Sequence, residues 1–273
     1  MPADDDIALD EKRVYGEKRD ETDAYVASAL GVTRVEVAGD QIGRFSLARQ
    51  CKATGIAGGG GRLVVGTDED VLVGTDEGFA ETDFGPAAAV GLADGTPVAA
   101  SPAGEVARLV GDEWEWLGTV ARPRRMDGDL LATRDGIYRV DTGLPALGAG
   151  RTVRDVAAIG PYAATADGLL AYDNDGWERV AGGDCTLVTA ADDGRAHAVS
   201  EDGLLVRRGD DWHLQDIPID AAIADITHGE SLYGVTANGS MLVYATADLT
   251  PDGQAGWRSR ALGVREAVGI AVP

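Results

Sequence analysis

Residues 165–180, TADGLLAYDNDGWERV, return in variant form along the chain and decide the fold. Residues 133–147 read TRDGIYRVDTGLPAL, and residues 200–215 read SEDGLLVRRGDDWHLQ. In each copy a short apolar run leads into a Thr/Ser-x-Asp-Gly turn, and a second apolar run follows. Because glycine accepts positive φ and aspartate can hydrogen-bond its own backbone, each copy predicts a β-hairpin.

The turn recurs seven times, at intervals of 32 to 39 residues. The turn positions are Gly31, Asp70, Gly104, Gly136, Gly168, Gly203 and Gly239. A further apolar strand is predicted before each hairpin and another after it, and four strands at this period are typical of a β-propeller. The sequence therefore predicts an all-β, seven-bladed β-propeller with four antiparallel strands per blade. It occupies residues 21–273 as a single domain, after an acidic, partly flexible segment over 1–20.

The C-terminus, VREAVGIAVP at 264–273, resembles the predicted inner strand VRDVAAIGPY at 153–162. Residues 265–271 are therefore predicted to supply the inner strand of the blade that begins at 23–48. This pairing closes the ring and leaves no exposed sheet edge. The segment 12–17, KRVYGE, is an alternative source of the same strand.

Four of the five tryptophans share one repeat position, at the start of the predicted outer strand; they are Trp114, Trp177, Trp212 and Trp257. Only Trp116 departs from it. Large rings at this position are expected to pack between neighbouring sheets rather than to form a ligand cage.

The chain carries 46 acidic and 24 basic residues, a net charge of −22, and only three of the basic residues are lysines. Acidity spread through every segment favours adaptation to a cytoplasm of molar salt, where the Debye length falls to about 3 Å. An acidic surface for basic partners is the alternative. Either way, nonspecific binding to nucleic acid is disfavoured.

The TADGLLAYDNDGW repeat resembles those of two-component-regulator propellers, which are sensor modules. Over residues 20–273 the acidic chain is also similar to a haloarchaeal β-propeller family. The resemblance implies the architecture and no particular activity. Transmembrane and kinase segments like those of the regulator proteins are absent from the sequence, so a signalling role is not implied.

Motifs for catalysis, metals and membranes are missing. No apolar run approaches the roughly 18 residues of a membrane span, and no signal peptide is visible, which predicts a cytoplasmic protein without membrane contact. The glycine run at 55–63 lacks the Gly-Lys-Ser/Thr of a phosphate loop, and DNDG at 173–176 lacks the ligand pattern of a calcium loop. His197, His213 and His228 form no known motif. We therefore expect no catalytic residue, metal or cofactor, and a monomer.

Basic residues concentrate where the inner strands begin. The candidates for binding an anion at one rim of the channel are Lys52, Arg124, Arg125, Arg154 and Arg265. Guanidinium groups can hold a carboxylate or phosphate in bidentate fashion. Alternatively, each cation pairs with a carboxylate, as the adjacent Asp155 and Glu266 suggest, and serves the fold alone.

These observations favour a non-enzymatic cytoplasmic propeller that acts as a protein-interaction or scaffold module in a high-salt cytoplasm. The alternative is a small-anion-binding module or a channel-mouth enzyme, of hydrolase or lyase type, that uses the rim arginines. Carboxylates or histidines with perturbed pKa at the channel would favour the enzyme. A broad exposed apolar patch on one rim would favour the protein partner.

Overall fold

The computed structural model describes residues 21–141, 143–148, 150, 152–173, 175–217, 221–245 and 255–273. These residues form seven four-stranded antiparallel sheets, with no helix among them. The predicted seven-bladed β-propeller is confirmed. The first strands of successive blades contact one another around the axis, and the fourth strands lie at the circumference.

The strands of the first three blades are given from the axis outward. Blade 1 contains β28 (Ala267–Ala271), β1 (Glu21–Ser28), β2 (Gly31–Ala38) and β3 (Gln41–Arg49). Blade 2 contains β4 (Ala53–Gly59), β5 (Arg62–Thr67), β6 (Val71–Thr75) and β7 (Gly78–Glu81). Blade 3 contains β8 (Ala89–Ala93), β9 (Thr96–Ala100), β10 (Glu105–Val110) and β11 (Glu113–Thr119).

The remaining four blades follow in chain order. Blade 4 contains β12 (Pro123–Asp127), β13 (Leu130–Thr133), β14 (Ile137–Arg139) and β15 (Ala146–Gly148). Blade 5 contains β16 (Val153–Ala157), β17 (Tyr162–Thr165), β18 (Gly168–Asp173) and β19 (Gly176–Ala181). Blade 6 contains β20 (Cys185–Ala190), β21 (Ala196–Ser200), β22 (Gly203–Arg208) and β23 (Asp211–Gln215). Blade 7 contains β24 (Ile223–His228), β25 (Leu232–Thr236), β26 (Ser240–Ala245) and β27 (Gly256–Ala261).

The C-terminal strand closes the ring, as predicted. Strand β28 pairs antiparallel with β1, and Ile270 lies opposite Val26. The strand begins at Ala267 rather than at residue 265, because Glu266 has a φ of 53° and turns the chain just before it. The alternative segment, 12–17, lies outside the described residues.

The repeated hairpin turn is held by its Thr or Ser. The Thr165 hydroxyl donates to the Gly168 carbonyl at 2.7 Å and accepts from the Asp167 amide at 3.3 Å. Thr133 makes the same two bonds in blade 4. Gly168 has a φ of 132°, and a Cβ there would collide with the carbonyl oxygen of Ala181. The motif therefore needs a hydroxyl at its start and glycine at its end.

The core lies between neighbouring blades and is built from small aliphatic side chains. Between blades 1 and 7, for example, Val26, Val35 and Ile270 pack with Val235 and Met241. Stacked sheets bury one continuous layer in this way, so each blade depends on both of its neighbours.

The tryptophans of the repeat complete this packing on the outer strands, as predicted. Trp114 Nε1 donates to the Thr82 carbonyl of the preceding blade at 2.9 Å, and Trp212 lies edge-on to Tyr162 of the preceding blade at 5.4 Å. Trp116, the one outside the repeat position, is 68% exposed.

Candidate functional site

One ring of equivalent residues surrounds the axis. Each member lies on the first strand of its blade. It pairs with the second-strand residue that directly precedes the Thr or Ser of the repeated hairpin turn. From blade 1 to blade 7 this axial layer consists of Gly269, Gly55, Ala89, Arg125, Asp155, Leu187 and Asp225. The layer is therefore small on blades 1 to 3 and carries charge on blades 4, 5 and 7.

A β-bulge directly precedes each charged member. The register between first and second strands shifts between Pro123 and Arg125, between Val153 and Asp155, and between Ile223 and Asp225. The same shift precedes Gly55 in blade 2 and Leu187 in blade 6, so the bulge belongs to the repeat and does not by itself mark a functional site.

A cavity of about 340 Å³ lies at the axis, and first strands of all seven blades line it. Its volume falls at the low end of the range for small-molecule pockets. Besides the axial layer, the lining reaches the turns between first and second strands, at Gly60, Gly95, Gly128 and Ile159.

Arg125 crosses the axis. Its Nη1 donates to Asp225 Oδ1 at 2.7 Å, and its Nη2 donates to the carbonyls of Ala224 and Val268 at 3.1 and 3.3 Å. A side chain of blade 4 is thereby bonded to blades 7 and 1 on the far side of the ring. The negative charge of Asp225 raises the pKa of Arg125, against the opposing effect of burial, so Arg125 keeps its proton.

Three aspartates join first strands around the ring. Oδ2 of Asp155 accepts from the backbone amide of Val188 at 2.9 Å, and Oδ2 of Asp225 accepts from that of Ile270 at 2.9 Å. Asp127 lies two residues after Arg125 on β12, and its Oδ2 accepts from the backbone amide of Ala158 at 2.7 Å. Each carboxylate therefore holds an amide of the next blade.

Burial makes these carboxyls weak acids. Burial raises the pKa of Asp155 to about 7, and the charges of Asp225 and Asp127 add to the rise, while Arg125 opposes it. Burial likewise raises the pKa of Asp225. Asp155 therefore exchanges its proton close to neutral pH, inside a cavity.

The five cations predicted from the sequence occupy different surroundings. Arg124 and Arg125 line the cavity, whereas Lys52, Arg154 and Arg265 are not among its lining residues. Lys52 Nζ lies 3.6 Å from Asp68 Oδ2, and Arg154 Nη2 donates to Asp184 Oδ2 of the next blade at 3.0 Å.

Arg124 and Arg265 have exposed side chains, and neither has a bonded partner in the described parts of the chain. The structure thus brings two of the five predicted cations to one space. Whether an anion binds there stays a prediction.

Two details of register differ from the sequence argument. Arg125, not Arg124, is equivalent to Asp155 and enters the axial layer, whereas Arg124 lines the cavity with an exposed side chain. Gly269, not Glu266, is equivalent to Asp155 in blade 1, because β28 pairs three residues later than its likeness to 153–162 indicates. The sequence argument missed Asp225 as a site residue, because the bulge that places it in register with Asp155 is seen only in the pairing of the strands.

His197 of blade 6 and His228 of blade 7 form a pair that is not part of the cavity lining. His197 Nδ1 lies 3.2 Å from His228 Nε2, a hydrogen-bond distance. Burial lowers the pKa of His197 to about 3 and that of His228 to about 4, so both rings are neutral at physiological pH. Across the described residues, no group of three His, Cys, Asp or Glu side chains is placed to hold a metal ion.

Exposed large apolar side chains are dispersed over four blades and lie mostly on outer strands. They are Leu30, Phe45, Leu47, Val110, Trp116, Ile159, Val180 and Leu214. Among the described residues, no helix is long and apolar enough to cross a membrane.

The closed ring and its axial cavity define a seven-bladed propeller with a pocket at the centre of the ring. The chain belongs to the HVO_0234-like beta-propeller family, whose sequence model matches residues 8–273. This confirms the family expected from the repeats, one that carries a haloarchaeal name. No curated protein matches the sequence.

Solved structures of similar fold include propellers of different origin. YCF48 bound to D1 peptide aligns with a TM-score of 0.55 and 13% identity, over 74% of this chain and 78% of that one. The computationally designed Ika8 protein aligns with a TM-score of 0.57 and 15% identity, over 91% of both chains. The extracellular domain of the putative hybrid two-component system BT4673 from B. thetaiotaomicron aligns with a TM-score of 0.54 and 10% identity, over 88% of this chain and 44% of that one. At these identities the likeness concerns the fold.

Proposed function

We propose that this chain is a non-enzymatic protein-interaction or scaffold module that works in a high-salt cytoplasm. The observation that carries the proposal is how the charged groups of the axial layer are used. Arg125 is bonded to Asp225, and Asp155 and Asp225 each hold an amide of the next blade. Groups engaged in bracing the ring are poorly placed to rearrange during catalysis, whereas a rigid ring presents its turns in fixed positions.

We assign partner binding to the face of the ring that carries the turns lining the cavity. Its turns join first to second strands, and they include Gly60, Gly95, Gly128 and Ile159. Ile159 is 37% exposed there and offers an apolar contact beside the cavity. The YCF48 structure supports the proposal in one respect, since it shows a propeller of this fold with a bound peptide.

A second candidate is a small-anion-binding module or a channel-mouth enzyme, of hydrolase or lyase type. Asp155 supports the enzyme, because a carboxyl with a pKa of about 7 inside a cavity suits general acid–base chemistry. Arg124 supports the anion site, because its exposed side chain has no bonded partner among the described residues and it lines the cavity.

Capture of partners from the native host at molar KCl, followed by binding measurements with each purified protein, tests the proposal. We expect Ile159→Arg to weaken binding of the true partner by tenfold or more. Leu214→Arg is the matched control, since Leu214 is 61% exposed on an outer strand away from the cavity. Equal effects of both variants, or no purified protein that binds, would refute the assignment of this face. Turnover of a small molecule that Asp155→Asn abolishes would favour the enzyme.

A further inference from the structure

We propose that the axial cavity binds an organic cation, an ammonium or guanidinium group on an apolar stem, with Asp155 as its counter-charge. The cation can belong to a free amine or to a lysine or arginine side chain of a protein. The second source rests on the proposed function above, whereas the cation site itself does not. The argument has three parts: an unused oxygen, an excess of negative charge and a wall for the stem.

The unused oxygen belongs to Asp155. Its side chain lines the cavity while the residue is only 6% exposed. Oδ2 accepts from the Val188 amide at 2.9 Å, but Oδ1 accepts no hydrogen bond from any residue in the described ranges. A charge-assisted hydrogen bond from a ligand to this oxygen would stabilise the ionised carboxyl.

The charge in the deep part of the cavity is negative. Two buried carboxylates, those of Asp155 and Asp225, line it together with Arg125, whereas the third carboxylate of the lining, Asp127, is exposed. Arg125 is bonded to Asp225 at 2.7 Å, which leaves Asp155 as the buried carboxylate without a bonded cation. An anion here would meet these carboxylates, whereas a cation would offset their repulsion.

The second cation of the lining does not cancel this excess. Arg124 has an exposed side chain, so water screens its charge. The charges with the largest effects on the carboxyl of Asp155 are those of Arg125, Asp225 and Asp127. The two strongest of these, Arg125 and Asp225, belong to the axial layer.

The opposite wall of the cavity is apolar and has room. It is formed by small residues of blades 2 and 3 and by aliphatic side chains, among them Gly58, Ala89, Val90, Leu92 and Ile270. Basic side chains and organic amines bury an apolar stem along such surfaces and direct the charged end to polar groups. A bare metal ion would leave this wall unused, and among the described residues no three His, Cys, Asp or Glu side chains are placed to hold one.

The ligand should couple to the proton on Asp155. Because burial raises the pKa of Asp155 to about 7, the carboxyl is partly protonated at neutral pH. A cation binds the ionised form, so binding releases a proton and tightens as the pH rises through 7. An ordinary surface carboxylate would show no such dependence in this range.

Calorimetry on the full chain at pH 6 and pH 8, in 0.2 M and 2 M KCl, tests the site with butylamine and, separately, butyrate. We expect butylamine to bind about tenfold more tightly at pH 8 than at pH 6 and butyrate not to bind. Asp155→Asn should weaken butylamine by tenfold or more. Asp192→Asn, an exposed carboxylate in a turn of blade 6, is the matched control and should bind as the wild type does. Butyrate binding, or equal amine binding by wild type and Asp155→Asn, would overturn the proposal.

Two further measurements are needed. One tests the site without any substitution, in case a variant fails to fold, and the other distinguishes a free amine from a basic side chain of a protein. A change in wild-type melting temperature with butylamine, larger at pH 8 than at pH 6, tests the site without any substitution; no change at either pH counts against it. A short peptide that contains lysine should compete with butylamine, and its norleucine counterpart should not. If the amine binds but the peptide does not compete with it, the cation site is supported and a protein side chain is excluded as its ligand.

Discussion

Arg125 Nη1 lies 2.7 Å from Asp225 Oδ1, which bonds blade 4 to blade 7 across the axis of the ring. Neighbouring blades in a propeller are joined by packing along their faces. This pair adds a direct bond between blades that are not neighbours, at the point where Asp225 also holds the Ile270 amide of the closing strand.

We expect Arg125→Met to destabilise the protein, because it leaves Asp225 buried beside Asp155 without its cation. Breaking a buried ion pair typically costs 3–5 kcal/mol. Since the Arg125 side chain keeps 30% exposure, about 2 kcal/mol is expected. Denaturant unfolding measures the change. The double variant Arg125→Met/Asp225→Asn should recover part of the loss, and equal stability of wild type and Arg125→Met would contradict a bracing role.

Asp155 should make the protein less stable as the pH rises toward neutrality. Its pKa in the folded chain is about 7, above the ordinary aspartate value of 3.8. The folded state therefore binds more protons between these values, and the contribution of Asp155 to the free energy of unfolding falls as the pH rises through 7. Asp155→Asn lacks this titration. Its melting temperature relative to wild type should be higher at pH 8 than at pH 5, and a constant difference would argue against the raised pKa.

The histidine pair predicts the opposite dependence at lower pH. The pKa values of His197 and His228 are about 3 and about 4, below the ordinary histidine value of 6.5. The unfolded state binds more protons in this window, so stability is lost as the pH falls from 6.5 toward 4. His197→Gln should flatten that loss. His213→Gln, at an exposed histidine, should leave the wild-type slope unchanged, and an equal effect of both variants would rule out the buried pair as its origin.

The net charge of −22 predicts a dependence on salt. If the acidity serves a high-salt cytoplasm, the melting temperature should rise between about 0.1 M and 2 M KCl as screening relieves carboxylate repulsion. Thermal unfolding in KCl measures it. A melting temperature that stays flat over this range would indicate that the charge serves a partner instead.

The sequence predicted the architecture well because each blade repeats one local rule. Thr165 and Gly168 meet the needs of a single hairpin, and that requirement is visible within four residues. Ring closure was also predictable, since residues 264–273 resemble the first strand of blade 5 at 153–162.

The site was harder to predict because it depends on register across blades. Arg124 and Arg125 are adjacent in the sequence, yet only Arg125 reaches Asp225, 100 residues further along the chain. The one-residue bulge before Arg125 decides which of the two enters the axial layer. Likewise, no local pattern indicates that Asp155 would be enclosed by other blades and hold a raised pKa.

Amide hydrogen exchange of the chain with and without a captured partner tests the central claim most directly, that the cavity-side face is the binding surface. The account predicts slower exchange at the turns around Gly60, Gly95, Gly128 and Ile159, which the cavity reaches. It predicts unchanged exchange at the Thr/Ser-x-Asp-Gly turns on the opposite face, such as 166–167 and 201–202. Protection confined to that opposite face would contradict it.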